Sequence, residues 1–164
     1  MKQLIFAMGL MALLSCKDNK FQETDAVLET EVETIETTKE NHHDDSPSIL
    51  DNSWVKEIKL DNGNKWLANN ETNEGVEKML HHIKTEATQT LKDHHNLAAL
   101  LNTDKNYVVK NCSMKGASHD NLHVWLLPLM AKIDALAETQ SLEDAAKIKK
   151  AIEENLQAYS DYFQ

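Results

Sequence analysis

Apolar residues after position 50 recur at intervals of three and four, and this spacing leaves few folds open to the chain. Side chains at such intervals share one face of an α-helix. Glycine is rare, with four residues in the sequence, and the alternation of β-branched residues that is typical of strands is scarce. The sequence therefore predicts an all-α domain in residues 51–164, which is long enough for one modest hydrophobic core.

Four helices are predicted in this domain from the apolar spacing and from capping residues. They cover roughly residues 69–91, 96–111, 118–137 and 141–163. Pro128 lies inside the third segment and lacks the backbone N–H that a helix uses, so a kink is expected just before it. Short connections make successive helices antiparallel neighbours, which gives an up-down-up-down four-helix bundle.

An irregular segment, residues 51–68, precedes the first helix and is expected to pack across one end of the bundle. It carries Trp54, Ile58 and Trp66, large apolar side chains that favour a buried position. The run Asp61-Asn62-Gly63-Asn64 within it is typical of a small hairpin turn. We therefore assign this segment to the folded domain.

The first fifteen residues have the pattern of a bacterial export signal. One lysine precedes an apolar stretch, residues 4–14, which is too short for a permanent membrane span. The run Leu13-Leu14-Ser15-Cys16 resembles the lipobox of bacterial lipoproteins, in which the cysteine is lipidated and becomes the new N-terminus. This resemblance implies a membrane anchor on Cys16 and a place in the cell envelope. Lys17 indicates, by similarity to Gram-negative sorting, the outer membrane, facing the periplasm or the cell surface.

Residues 16–50 are predicted to form an acidic, disordered tether between the lipid anchor and the folded domain. Residues 17–50 hold ten acidic residues and three lysines, with too little apolar surface to offset the entropy of ordering them. The whole chain has a formal charge of −10, and its 17 basic residues are all lysines. Because binding to phosphates needs clustered basic residues, nucleic acid is not an expected partner.

The stretch that joins the second and third helices contains sulfur and imidazole side chains. Cys112 and Met114 lie where the second helix ends, and His119 and His123 lie where the third begins. Because residues four apart share a helix face, both imidazoles can be directed towards the thiol. With Cys16 lipidated, Cys112 is the only free thiol of an exported protein, where disulfides are the usual fate of cysteine. These four side chains are predicted to bind a metal ion.

Copper is the expected cofactor of this site. One thiolate, two imidazoles and one thioether form a soft ligand set, and Cys-His-His with a weak Met is the blue-copper pattern. A rigid site would suit one-electron transfer with a redox partner, whereas a mobile turn at Met114 would suit copper capture or delivery with a copper-donor protein. Neither role is catalytic, so an enzyme is not expected. Zinc is the alternative metal, and an open coordination position on it would allow hydrolysis.

A purely structural role for the same residues is the competing interpretation. Cys112 would then be a small buried side chain, Met114 a residue that fills a gap, and the two histidines surface residues of a helix. On this interpretation the chain is a tethered, non-catalytic interaction module of the cell envelope.

The domain also carries a combination of residues that extends beyond the candidate ligands. It consists of Lys65-Trp66-Leu67-Ala68-Asn69, Glu71-Thr72, Gly75-Val76, Asn111-Cys112-Ser113-Met114-Lys115-Gly116 and His119 to His123. This combination resembles a group of small helical lipoproteins from Bacteroidota, over about residues 60–164. The resemblance implies a common core that contains the Cys-x-Met-x4-His-x3-His stretch. It identifies neither an activity nor the metal.

Overall fold

The computed structural model describes residues 48–164 of the chain. The expected signal peptide, the lipidation site Cys16 and nearly all of the acidic tether lie outside these residues, so what the sequence predicts for them stays a prediction. Within the described residues, no helix combines the length and the apolar character needed to cross a lipid bilayer.

The described chain folds into the predicted four-helix bundle. Its helices are α1 (Asn70–Thr85), α2 (Leu91–Asn111), α3 (Ala117–Glu138) and α4 (Leu142–Gln157), followed by a single helical turn, α5 (Tyr159–Tyr162). Each long helix packs against the next, and α4 also packs against α1, which closes the ring. Pro128 lies within α3, which continues through it as one helix.

The boundary between the first two helices differs from the prediction. The apolar spacing extended the first helix to Leu91, but α1 ends at Thr85 and Leu91 is the first residue of α2. The physical reason is a capping box at the start of α2. The Thr90 hydroxyl accepts a hydrogen bond from the Asp93 N–H, and the Asp93 carboxylate accepts one from the Thr90 N–H at 2.8 Å. This reciprocal pair starts α2 more than one turn before the predicted position.

The core lies between the four helices and is filled by large apolar side chains. Those that are almost completely buried include Met79, Ile83, Leu97, Leu101, Leu122, Trp125, Leu129, Ile133, Leu136, Ile152 and Leu156. Helices α1 and α2 approach each other most closely at Gly75. A Cβ atom there would overlap Val108 Cγ2 on α2, so the absence of a side chain at this position sets the distance between the two helices.

Residues 51–68 pack against the bundle as predicted. A 3₁₀ turn, Ser53–Lys56, buries Trp54, and Ile58 is buried after it. The Lys59 N–H donates to Asn121 Oδ1 near the start of α3 at 2.8 Å. The backbone of Trp66 exchanges hydrogen bonds of 2.8 and 3.0 Å with the C-terminal residues 162–164. Lys59 is therefore attached near the start of α3, and Trp66 is attached to the C-terminal residues.

The predicted tight turn is present inside this segment. Asp61 and Asn64 exchange two backbone hydrogen bonds, each 2.9 Å long. Between them, Asn62 and Gly63 have positive φ angles of 51° and 89°, a conformation that asparagine and glycine tolerate better than other residues. The turn reverses the chain and lets the Trp66 indole N–H donate to the carbonyl of Lys59 at 2.6 Å.

Candidate functional site

The candidate ligands surround the connection between α2 and α3. Helix α2 ends at Asn111, and the N–H of the next residue, Cys112, still donates to the carbonyl of Val108 at 2.9 Å. Gly116 then precedes α3 with a φ of +61°, in the region that favours glycine. This glycine allows the chain to reverse, so that the first turn of α3 returns to the side of Cys112.

Asn69, which precedes α1, holds this connection in place. Its Nδ2 donates to the carbonyl of Asn111 at 3.1 Å, and its Oδ1 accepts from the Ser113 N–H at 3.4 Å. The buried hydroxyl of Thr72 donates to the same Oδ1 at 2.7 Å. The backbone on both sides of Cys112 is thus attached to the start of α1.

Cys112 and His119 make a direct contact in the site. The Sγ atom lies 3.7 Å from His119 Nδ1, and both side chains are half-buried. A thiol and an imidazole at this distance can share a proton in a hydrogen bond, and the same two atoms are ligands that soft metal ions accept. The structure therefore brings together the thiol and the first imidazole of the predicted set.

His123 lies one turn further along α3, at the outer edge of the site. Its ring is adjacent to that of His119, with 4.5 Å between the ring centroids and 55° between the planes. Its side chain is exposed and also lines a surface cavity beside Trp54 and Val124. The two imidazoles share one face of the helix, but His123 is more open to solvent than His119.

Met114 lies in the connection itself, half-buried against the hydrophobic core. Within residues 48–164, no group of three or more Cys, His, Asp or Glu side chains surrounds one point. Asp120, the carboxylate next to His119 in sequence, is exposed. The described arrangement is a Cys112–His119 pair, with His123 beside the imidazole and Met114 in the same connection.

Aromatic side chains close the inner side of the site. Tyr159 is buried, its hydroxyl donates to Asn73 Oδ1 at 2.7 Å, and its ring stacks on Phe163 with 4.9 Å between centroids. Burial raises the pKa of the Tyr159 hydroxyl well above its usual range, and a negative charge on Cys112 raises it further. Tyr159 is therefore a buried, neutral side chain on the inner side of the site at physiological pH.

Several buried polar residues outside the site were not predicted, and Lys132 and Asp104 are two of them. Lys132 on α3 is only 1% exposed, and its Nζ donates to Asn155 Oδ1 at 2.9 Å. Asp104 on α2 is also buried, with its Oδ2 atom 3.4 Å from His82 Nε2. The apolar spacing could have predicted that Lys132 is buried, because this residue lies four residues before Leu136 on the apolar face of α3. The same spacing marked Asp104, which lies three residues after Leu101 and four before Val108 on the apolar face of α2.

The chain matches no protein-family model, no curated protein and no solved structure. The resemblance to helical lipoproteins of Bacteroidota stays a prediction, and so does the identity of a metal. The ligand set and the distances within it are the basis for assigning chemistry to the site.

Proposed function

We propose that this protein binds a copper ion through Cys112 and His119, with Met114 and His123 completing the site. The observation that supports this most strongly is the distance of 3.7 Å between Cys112 Sγ and His119 Nδ1. An ion about 2.3 Å from the sulfur and about 2.0 Å from the nitrogen would span that gap with an S–metal–N angle of about 120°. This angle suits a trigonal site, and thiolate, thioether and imidazole together favour copper.

Copper capture or delivery is the role that we propose for the site, in preference to electron transfer. Cys112 and His119 are half-buried and His123 is exposed, so a donor or acceptor protein has access to the ion. Completing the site requires movement, because no preformed group of three such ligands exists within residues 48–164. A site for electron transfer needs ligands that are already fixed in position.

A Cu(I) titration tests this proposal. The full chain is used with Cys16→Ser in every variant, so that Cys112 is the only thiol of a sequence with two cysteines. Under anaerobic, reducing conditions and in competition with a coloured Cu(I) chelator, we expect one tightly bound equivalent. Cys112→Ala and His119→Ala should each weaken binding by more than about 100-fold. His81→Ala is the matched control, because His81 is an exposed histidine on α1.

Two results would contradict the proposal. If wild type binds no Cu(I) tightly, or if Cys112→Ala binds it equally well, copper is not the cargo of this site. Titration with Cu(II) separates the two copper roles. An intense visible band from thiolate-to-copper charge transfer, lost in Cys112→Ala, would overturn the assignment to capture and favour a rigid electron-transfer site.

A non-catalytic interaction module is the second candidate function. The observation that favours it is the lack of a three-ligand group in the described part of the chain. An inert Cys112 would react slowly with thiol reagents in the folded chain, and copper would leave the melting temperature unchanged. Zinc is distinguished by activity rather than by competition, because most sites of this kind bind copper more tightly than zinc. A zinc site with an open position would support hydrolysis that is lost on chelation and restored by zinc alone.

We also propose that the site works outside the cytoplasm, on a lipid anchor at Cys16. The support is the export signal pattern of residues 1–15 and the lipobox that ends it. In a Gram-negative host, we expect the wild-type chain to enter the outer-membrane fraction with the added mass of a lipid at its N-terminus. Cys16→Ser should lose both properties. A wild-type chain that stays unmodified and free of the membrane would contradict the anchor without affecting the copper site.

A further inference from the structure

A surface cavity beside the candidate copper site has the size and lining of a small-molecule site. Its volume is about 470 Å³, within the range of about 300–1,000 Å³ that is typical of ligand sites. Its wall is mainly apolar and includes Ile49 and Trp54 from the chain before α1, with Val124, Leu127 and Pro128 from α3. Such a wall favours a ligand with an apolar body.

Lys132 supplies the cavity with a buried charged group. It lines the cavity although it is almost completely buried, and its one hydrogen bond within residues 48–164 goes to Asn155 Oδ1. The lysine ion pairs in this part of the chain belong to Lys78, Lys147 and Lys150. Lys132 therefore has no carboxylate in direct contact there. A buried charge without a counter-ion is unfavourable, and burial lowers the pKa of Lys132 to about 8.

The charges around the cavity differ in their exposure to water. Asp51 and Glu57 are exposed lining residues, and Asp51 together with Glu154 favours the protonated form of Lys132. Water and salt screen these exposed carboxylates. Lys132 lies in a medium of lower dielectric constant, where the attraction of an opposite charge is stronger. The cavity is therefore better matched to a monoanion that reaches Lys132 than to a cation held at the rim.

We propose that this cavity binds an amphipathic carboxylate, such as a medium-chain fatty acid. The carboxylate group lies at Lys132, and the apolar chain lies against Trp54, Leu127 and Pro128. The inference does not rest on the proposed copper site, because Cys112 and His119 do not line the cavity. His123 lines the cavity and also belongs to the proposed copper site, so a ligand bound here contacts one of the proposed metal ligands.

Calorimetric titration of the metal-free full chain with octanoate and with 1-octanol tests the assignment. The two molecules have chains of equal length, and they differ in the charge of the head group. We expect octanoate to bind at least about tenfold more tightly, a difference of about 1.4 kcal/mol. If octanoate does not bind, or if 1-octanol binds as tightly, the proposal is overturned.

Two pairs of variants locate the bound molecule. Ala131→Leu, at an exposed lining position of α3, should weaken the binding of both molecules by filling the cavity, whereas Ala137→Leu, at an exposed position elsewhere on α3, should not. Lys132→Met should remove the preference for octanoate, and Lys105→Met, at another buried lysine, should retain it. Unchanged binding in Ala131→Leu would overturn the proposal even if Lys132→Met fails to fold. An undiminished octanoate preference in folded Lys132→Met would do the same.

Discussion

At Asn69, one amide side chain connects the start of α1 with the backbone on both sides of Cys112. Asn69→Ala removes these hydrogen bonds and leaves the Thr72 hydroxyl without its acceptor. We expect a loss of about 1–2 kcal/mol in the free energy of unfolding, measured with urea. Cu(I) affinity should fall at least about tenfold, because the connection that positions Cys112 is loosened while Cys112 and His119 are retained.

Asn102→Ala is the control for this prediction, since Asn102 is an exposed asparagine on α2. It should change neither stability nor copper affinity. A variant Asn69→Ala that is less stable but binds copper normally would mean that Cys112 and His119 are held together without the help of α1.

Asp104, unlike Asn69, is a buried polar residue that lowers the stability of the folded state. Its Oδ2 atom is buried without a hydrogen bond in the described chain, and burial raises the pKa of its carboxyl despite the nearby His82 and Lys78. The folded state therefore binds a proton more readily than the unfolded state. Its stability falls as pH rises through the folded pKa, and the whole cost is present at neutral pH.

Asp104→Asn removes the buried charge and should stabilise the protein at pH 7 by about 1 kcal/mol. The gain should become much smaller at pH 3.5, below the ordinary aspartate pKa of about 3.9, where the wild-type carboxyl is mostly protonated in both states. Urea unfolding at the two pH values measures this, with the exposed Asp134→Asn as control. A less stable Asp104→Asn at pH 7 would mean that the ion pair with His82 outweighs the burial of the carboxylate.

The main pair of the candidate site could be predicted from the sequence, but the residues that hold this pair in place could not. A thiol at a helix end and an imidazole in the first turn of the next helix are brought together by one chain reversal, so Cys112 and His119 were predictable from local spacing. Asn69 reaches the site from a distant part of the sequence, over 42 residues in its bond to Asn111. Long-range pairs of this kind depend on how the helices pack, which periodicity alone does not specify.

At the scale of helices, apolar spacing located the four elements, and side-chain caps mark where α2 and α4 begin. Leu91 fits the apolar face of the first predicted helix, yet Thr90 and Asp93 form a capping box that makes it the first residue of α2. Ser141 caps α4 in a similar way, and its hydroxyl accepts from the Asp144 N–H at 3.2 Å. The number of helices followed from periodicity, but a boundary inside a continuous apolar pattern needed the hydrogen bonds of the cap.

The packing of α1 on α2 depends on Gly75, and a substitution there should disturb both helices. Gly75→Ala would normally favour a helix by about 1 kcal/mol. Here the added methyl group overlaps Val108 Cγ2, and overpacking costs about 1–3 kcal/mol. We expect net destabilisation in urea unfolding, with α1 and α2 forced apart.

Val108→Ala provides the matched background for this substitution, because it removes the overlapping atom. The Gly75→Ala change should cost less in Val108→Ala than in the wild type, and the difference is the coupling energy between the two positions. Equal effects in both backgrounds would show that the close approach at Gly75 is not the reason for the glycine.

Over the whole described domain, α3 connects the candidate copper site with the proposed fatty-acid cavity. Its first turn carries His119, its second carries His123, and its middle carries Lys132. The N-terminal segment covers the cavity side with Trp54, while the C-terminal residues supply Tyr159 behind Cys112. Each site thus includes residues from chain segments that lie outside the four long helices.

The buried lysine in the middle of α3 should give the global stability an unusual dependence on pH. Burial lowers the pKa of Lys132 to about 8, from the usual 10.5. Between these values the unfolded chain binds more protons than the folded one, so the free energy of unfolding rises with pH. Lys78 and Lys147 act in the opposite direction, because Glu74 and Glu143 raise their pKa values. Their stabilising effect is lost only at higher pH, and both are exposed and screened.

We therefore expect the domain to gain about 1–2 kcal/mol between pH 7.5 and pH 9.5, in urea unfolding at constant ionic strength. Lys132→Met should abolish the gain, whereas Lys105→Met should keep it because Lys132 is intact. The upper pH stays below the usual tyrosine pKa of about 10, so that buried Tyr159 does not reverse the trend. If the stability of the wild type is flat or falls over this range, like that of Lys132→Met, then Lys132 has a counter-charge in the folded chain. The cavity would then lack the unpaired cation on which the binding of a carboxylate depends.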